Sequence, residues 1–377
     1  MDFDLGWLLL LIPAVFALGW WASRLDLRQA KRDPRDAPQA YFKGLNLLLN
    51  EQQDKAIDAF IEAVQLDPDT VELHFALGNL FRRRGETERA VRVHEHLLNR
   101  GDLPTSERAR AQHALAQDFF KAGLFDRAEA AYRALKGSAY ELEAELALLS
   151  LYERSRDWSQ AAEIAAALEA RGTGSFAARR AHYLCEQALA VQSQQPAQAE
   201  TWLHQAQQLA PAHPRARVLE GQWALAAKDH DRAVQAFEAL LLVNPAAFNL
   251  VAADYAKAAL TAGQTDRALK RLLEQHAADP SLALLQALGQ LDPVGQPERL
   301  LQHVQQHPSL NAARGLLQPL LADRAEAPAL LRAIDMAAKP LMRHRCAACG
   351  FEAAHYFWQC PGCLSWDSFP PRPVEEL

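Results

Sequence analysis

The chain is 377 residues long, half of them hydrophobic and 23% charged, which excludes a disordered polymer and leaves ample apolar material for a core. Its net charge of −6 offers no overall attraction to nucleic acid. Glycine is scarce at 17 and aromatics make up 8%, while Ala, Leu, Gln, Glu and Arg dominate, so a composition of helix formers excludes an all-β fold.

The first element is an uncharged run from Leu5 to Ala22, LGWLLLLIPAVFALGWWA. As a helix at about 1.5 Å per residue it is about 27 Å long, close to the hydrocarbon thickness of a bilayer. Trp7 at one end and Trp20 and Trp21 at the other suit the headgroup zones, and Pro13 is tolerable in a spanning helix. A cleaved signal peptide would carry Lys or Arg ahead of the run; here Asp2 and Asp4 precede it, and no small-x-small cleavage site stands before Ser23. Residues 1–23 are therefore expected to be an uncleaved transmembrane anchor. Arg24, Arg28, Lys31, Arg32 and Arg35 follow it, so the positive-inside tendency puts the N-terminus in the periplasm and the body in the cytoplasm. Residues 24–38 read as a juxtamembrane linker, either a solvated tether or a weak contact with anionic lipid.

From residue 40 to about 280 the chain repeats itself. Alanines followed four positions on by a large apolar residue occur as Ala56/Phe60, Ala90/His94, Ala128/Tyr132, Ala161/Ala165, Ala199/Leu203, Ala233/Phe237 and Ala268/Leu272, with His94 and Ala165 departing from the pattern. The alanine spacings are 34, 38, 33, 38, 34 and 35. Pro68, Pro211, Pro245 and Pro280 follow four of these alanines by 12, where a helix must end, and Gly44, Gly78 and Gly221 precede three of them by 12, marking close helix contacts. This pattern resembles the tetratricopeptide repeat, in which paired helices stack because neither can hide its apolar stripe alone. About seven units over residues 39–280 are expected, forming a superhelix whose groove suits binding rather than catalysis. The two longer spacings predict longer turns near Arg100 to Ser106 and Gly172 to Ser175. Residues 281–340 stay helical in composition and predict a degenerate repeat or a helical cap.

At the C-terminus Cys346-x2-Cys349 and Cys360-x2-Cys363 have the spacing of metal knuckles, not of a disulfide framework, and point to a reducing compartment. Gly350 and Gly362 are expected to supply the positive φ of such turns, and Pro361 pre-sets one of them. Residues 341–377 are too few to bury a stable core alone, so metal and fold should come together as a small zinc-ribbon module. Four thiolates leave no open coordination site, which favours one structural zinc ion; the same ligands also form a rubredoxin-type iron centre. Arg343, His344, Arg345 and the aromatics Tyr356, Phe357, Trp358 and Trp366 allow a nucleic-acid ribbon, against the preferred reading that the aromatics pack on the knuckles or on the repeats.

Other signals are discounted. Arg82, Arg83 and Arg84 read as a solvated face, and His303 with His307 as a surface helix, since no glutamate of an HExxH motif lies between them. His94 and His96 read the same way, and Cys185 as a buried helical thiol. The sequence holds no Walker loop, no GxSxG and no dinucleotide fingerprint, hence no expected catalytic residue.

Taken together, the anchor, the repeat array and the terminal knuckle pair resemble the lipopolysaccharide assembly protein B family of Gram-negative bacteria. The resemblance spans nearly the whole chain and is carried by NLLLNEQQDKAIDAF (Asn46 to Phe60), LGNLFRRRGE, AGLFDRAE, AHYLCEQAL, RCAACGF and YFWQCPGCLSW. It implies an all-α repeat superhelix with one transmembrane helix before it and a rubredoxin-like module after it, with Cys346, Cys349, Cys360 and Cys363 as metal ligands. It also implies a non-enzymatic inner-membrane adaptor that promotes degradation of the lipid A committing deacetylase by the AAA+ protease FtsH. A PbgA-type signalling protein would oppose it. A scaffold joining synthesis enzymes to lipopolysaccharide transport proteins, and a rubredoxin-type redox carrier, are the alternatives.

Overall fold

The computed structural model describes residues 42–67 and 69–377, together with two helical stretches at 15–17 and 19–21. The expected anchor, linker and Pro68 lie wholly or mostly outside the described residues. Among those residues no helix is long and apolar enough to cross a membrane. Two compact units divide the chain, at Leu151 and Tyr152.

The first unit comprises α1 (residues 42–49), α2 (Gln53–Leu66), α3 (Val71–Arg84), α4 (Thr87–Asn99), α5 (Thr105–Lys121), α6 (Phe125–Arg133) and the start of α7 (Glu141–Ser155). Helices adjacent in sequence pack on one another. Ala56, Ala90 and Ala128 are fully buried, because a methyl side chain lets two helix backbones approach. Phe60 and Tyr132, four residues on, fill the space beyond and are 2% and 3% exposed. At Gly85 the backbone turns left-handed (φ 80°), and the N–H of Glu86 closes on the Phe81 carbonyl at 2.9 Å, ending α3 before Thr87 opens α4.

The second unit continues with α8 (Trp158–Ala170), α9 (Ala177–Val191), α10 (Pro196–Leu209), α11 (Arg215–Ala226), α12 (His230–Val243), the single turn α13 (Pro245–Phe248), α14 (Ala252–Thr261) and α15 (Thr265–Ala278). Ala161, Ala199, Ala233 and Ala268 again sit at 0–1% exposure on the second helix of each pair. Four more helices follow: α16 (Leu282–Leu291), α17 (Gln296–Gln306), α18 (Leu310–Leu320) and α19 (Ala327–Ala338). The 281–340 region thus forms two further helix pairs. Its leucines divide: Leu284, Leu288 and Leu291 join the core around Phe237 and Tyr255, whereas Leu301 and Leu320 are exposed. The unit ends in a ribbon whose strands β1 (His344–Arg345) and β2 (Glu352–Ala353) pair antiparallel, His344 opposite Ala353.

The glycines that precede the alanines by 12 have a steric reason. A Cβ at Gly44 would lie 2.9 Å from the Phe60 ring, and one at Gly221 would lie 2.3 Å from the Phe237 ring. At Gly78 the atom met is Nε2 of His94, at 2.5 Å. His94 is therefore no surface residue: it occupies the aromatic position of its unit at 0% exposure. Its polarity is met by Asp118, equally buried, which accepts from His94 Nδ1 at 2.5 Å and from Arg82 at 2.9 Å. Arg82 likewise leaves the solvated face expected of it and also donates to the Ala114 carbonyl; Arg83 and Arg84 stay exposed.

Replacing Gly221 by Ala should lower the unfolding free energy by about 1–3 kcal/mol, the usual penalty of overpacking. In urea titrations Phe237→Leu should recover part of that loss in the G221A background, and a G221A midpoint equal to wild type would refute the contact.

Candidate metal centre and its dock on the repeats

Each C-x2-C pair forms the same backbone turn. Cys346 N–H donates to the Phe351 carbonyl at 2.9 Å, and Gly350 N–H to the Cys346 carbonyl at 2.9 Å. In the second knuckle Cys360 N–H donates to Ser365 O at 2.9 Å, and Leu364 N–H to Cys360 O at 2.8 Å. The left-handed residue follows the second cysteine in both: Gly350 at φ 76° and Leu364 at φ 61°. Gly362 is not left-handed, and a Cβ there would make an ordinary contact of 3.4 Å with the Phe351 side chain, so neither backbone nor packing requires glycine at this position.

These turns aim the four sulfurs at one point. Cys346 Sγ and Cys363 Sγ are 3.8 Å apart, Cys349 Sγ and Cys360 Sγ 3.7 Å, and all four lie within 4.8 Å of one another. A tetrahedron with metal–sulfur bonds of about 2.3 Å has edges of about 3.8 Å, so the thiols fit one tetrahedral ion. All four are free thiols. Burial opposes ionisation of Cys346, but the Ser368 hydroxyl, 3.2 Å from its Sγ, and the N–H groups of Cys349 and Ala348 pull it down to about 6. The Ser365 hydroxyl and N–H likewise lower Cys363, so each knuckle holds one thiol disposed to bind as thiolate.

The aromatics beside the second knuckle face the repeats. Trp366 stacks on the ring of His182 in α9 at 4.3 Å between centroids and meets Trp158 edge-on at 6.0 Å. Its indole N–H donates to Glu153 Oε1 at 3.0 Å, an acceptor shared with the Tyr183 hydroxyl. Asp367 receives His182 Nε2 at 3.0 Å on each of its oxygens and has His213 Nε2 at 3.4 Å. With Trp358 also 5.9 Å from His182, Trp358 and Trp366 both pack on the repeats. Arg345 is paired with Glu352 at 2.7 Å.

Two family models match this chain, one described as a rubredoxin metal binding domain over residues 344–371 and one as a TPR repeat over residues 44–92. Lipopolysaccharide assembly protein B of Escherichia coli K12 is 30% identical to it over 97% of both chains. The chain belongs to the lipopolysaccharide assembly protein B family. The protein of that name from Haemophilus influenzae is 27% identical over 98% of both chains. Among solved structures, Naa15/Naa10 bound to HypK-THB is similar at a TM-score of 0.38 and 16% identity, covering 81% of this chain and 46% of that one. In this member of the lipopolysaccharide assembly protein B family the ribbon match falls on the knuckles and on the docking residues Trp358, Trp366 and Asp367 alike.

Among the described residues the second close group of metal-binding side-chain types is His182, His213 and Asp367. Hydrogen-bond accounting argues against a metal there. Arg215 lies 3.2 Å from His182 Nδ1, and a guanidinium can only donate, so Nδ1 carries a lone pair and the ring proton sits on Nε2, pointing at Asp367. A metal on Nε2 would force that proton onto Nδ1, against the arginine. The cluster is a proton-sharing dock. Sequence reading could not find it, because Asp367 lies 185 residues from His182. The other discounted residues divide: Cys185 is buried in α9, its thiol pushed up to about 12 by burial, as expected, whereas His303 is buried at 4% beside His276 and is not a surface residue.

Two outcomes follow from this geometry. Chelation, or Cys346→Ser, should remove one metal per chain, shift tryptophan emission to the red and leave the helical circular dichroism within about a tenth of wild type, since the ribbon contributes two short strands. Unchanged emission from fully metal-free protein would contradict a metal-dependent dock. The second outcome concerns acid. Burial pushes His182 down to about 4 although Asp367 acts to raise it. A histidine that must stay neutral when folded stabilises fully above its ordinary value of about 6.5, and that contribution is lost as pH falls toward 4. At most about 3 kcal/mol is at stake by that linkage. Ring proton resonances should show His182 untitrated down to about pH 4; a midpoint near 6.5 would overturn the buried neutral assignment.

Proposed function

We propose that this protein is a non-enzymatic adaptor in the control of lipopolysaccharide synthesis, held at the bacterial inner membrane by residues 1–23 with its bulk in the cytoplasm. The observation that carries this reading is the relationship to lipopolysaccharide assembly protein B over 97% of both chains, repeats and ribbon together. In the finer form of the proposal, the helix pairs receive the lipid A committing deacetylase and deliver it to FtsH, and a PbgA-type inner-membrane protein opposes the delivery. Contact with lipopolysaccharide transport proteins is compatible with the same surface.

Such a function needs proximity rather than chemistry. An anchor confines protease and substrate to one membrane surface, where effective concentration replaces affinity. We assign Cys346, Cys349, Cys360 and Cys363 as ligands of one zinc ion in a structural role. Four sulfur ligands close the coordination sphere and leave no position for a reactive water.

The test is the half-life of the deacetylase after protein synthesis is blocked, in cells depleted of this protein. Depletion should lengthen it several-fold, and wild type should restore it. An anchor deletion and the Cys346/Cys349→Ser variant should both fail to do so. A half-life indifferent to depletion would discard the adaptor reading, and full restoration by the serine variant would discard the role of the metal.

A further inference from the structure

Beside the dock, the ribbon and the repeats border an open cleft of about 630 Å3. One side is built by Leu209, Pro211 and Pro214 at the turn between α10 and α11, the other by Tyr356, Trp358 and Phe369 of the ribbon. The walls are largely apolar, with Ser175, His213 and Asn244 the uncharged polar residues among them, and proline at 211, 214 and 371 removes three N–H donors.

Asp367 also lines this cleft, and no lysine, arginine or second carboxylate does. Its side chain is 43% exposed, so the carboxylate is open to a ligand as well as to the dock. Its hydrogen-bond partners are the imidazoles of His182 and His213, not a guanidinium or ammonium. Arg215, behind the dock, gives its donors to His182 Nδ1 and to Glu186. The hydrogen bonds from His182 and His213 outweigh burial and hold Asp367 well below the usual carboxylate range, so it stays ionised. Its backbone is left-handed, at φ 51°, a conformation aspartate tolerates better than most residues. The cleft therefore offers one fixed negative charge, acceptor-only, set in largely apolar walls. An acidic segment would be repelled, and a purely apolar one would leave the carboxylate desolvated without a partner.

We infer that this cleft docks a short extended segment of a partner protein carrying one Arg or Lys between apolar residues, with the cation on Asp367 and its neighbours against the aromatic and proline walls. A long cationic side chain suits both halves of such a site, since its methylene stem lies along apolar surface while the head reaches the carboxylate. The inference does not rest on the adaptor reading, and its test uses purified protein, so either can fail without the other.

The probe is the blocked pentapeptide acetyl-Ala-Leu-Arg-Leu-Ala-amide, titrated calorimetrically into the full-length metal-loaded protein. Its citrulline analogue keeps the shape and removes the charge. The arginine peptide should bind at least tenfold more tightly than the citrulline peptide, and Asp367→Asn should abolish that difference. Because Asp367 also serves the dock, Ala246→Trp, at an exposed residue of the cleft lining, provides a second variant that fills the cleft and leaves the dock intact. It should weaken binding at least tenfold with an unchanged melting temperature. Equal binding of the two peptides, no binding of the arginine peptide at millimolar concentration, or binding undiminished in A246W would each overturn the inference.

Discussion

The ribbon cannot hold itself together by burial. Its own core is Cys346, Cys360 and Phe369, with Tyr356 packed against them, and two of those three buried residues are sulfurs of the metal cage. An apolar cluster of that size does not offset the entropy of ordering some 30 residues, at roughly 1 kcal/mol or more each. A metal ion held by the four sulfurs would supply on the order of 10 kcal/mol, which would make it the centre of the fold and not an accessory to it. What depends on it reaches past the ribbon, because Trp366, Asp367 and Ser368 follow directly on the second knuckle.

The repeats bear the imprint of that dependence. Polar side chains gather where the ribbon docks: α9 carries His182, Tyr183 and Glu186, and α11 begins with a buried Arg215. Each polar group has a partner only in a particular arrangement: His182 takes Asp367 on one side and Arg215 on the other, Glu153 takes Trp366 and Tyr183, and Glu186 takes Arg215. Without the ribbon, His182 and Glu153 each lose a partner, and a buried polar group left unsatisfied costs about 1–3 kcal/mol. The dock is therefore specific in a way that an apolar patch would not be: a register slip would strand several polar groups at once.

Much of the array was legible because a helix crossing at close range admits few residues. Seven alanines at near-34-residue spacing, with glycine 12 before three of them, can be read from sequence as backbone contacts, and every one of those alanines is buried. What failed was the reading of polar residues inside that register. His94 stands where Phe60 and Phe237 stand in their units, so its position indicated burial, yet its chemistry suggested solvent; the carboxylate that resolves the conflict, Asp118, comes 24 residues later on another helix. The knuckle ligands were legible from local spacing alone. Their left-handed residues were only half so: Gly350 fits the rule, whereas Leu364 takes the equivalent turn because the knuckle's hydrogen bonds fix the backbone there, at a penalty of about 1–2 kcal/mol. The dock, built from residues more than 150 positions apart, leaves no periodic trace.

The same long reach explains why residues 281–340 resisted reading as repeats and yet are ordered. Beyond α16, whose leucines are core, these helices bury little: α17 contributes His303, α18 contributes Ala312, and α19 contributes Ala327 and Ala338. Part of what they lack in core comes from the end of the chain. Glu376 accepts the first N–H of α16 at 2.7 Å, and Glu375 accepts that of α18 at 2.6 Å while also holding the Asn311 side chain at 2.6 Å. Ser281 and Ser309 cap the same two helices from within, at Leu284 and Ala312. A carboxylate at a helix N-terminus satisfies orphan donors and meets the positive end of the dipole, each contribution about 1 kcal/mol. These caps are in place only if the tail is, and the tail is fixed by Val374 N–H on the Arg343 carbonyl and Glu375 N–H on Leu341 O, immediately before the first knuckle. The N-termini of α16 and α18 thus depend on the tail, so that loss of an ion bound by the four cysteines would loosen them as well as the ribbon.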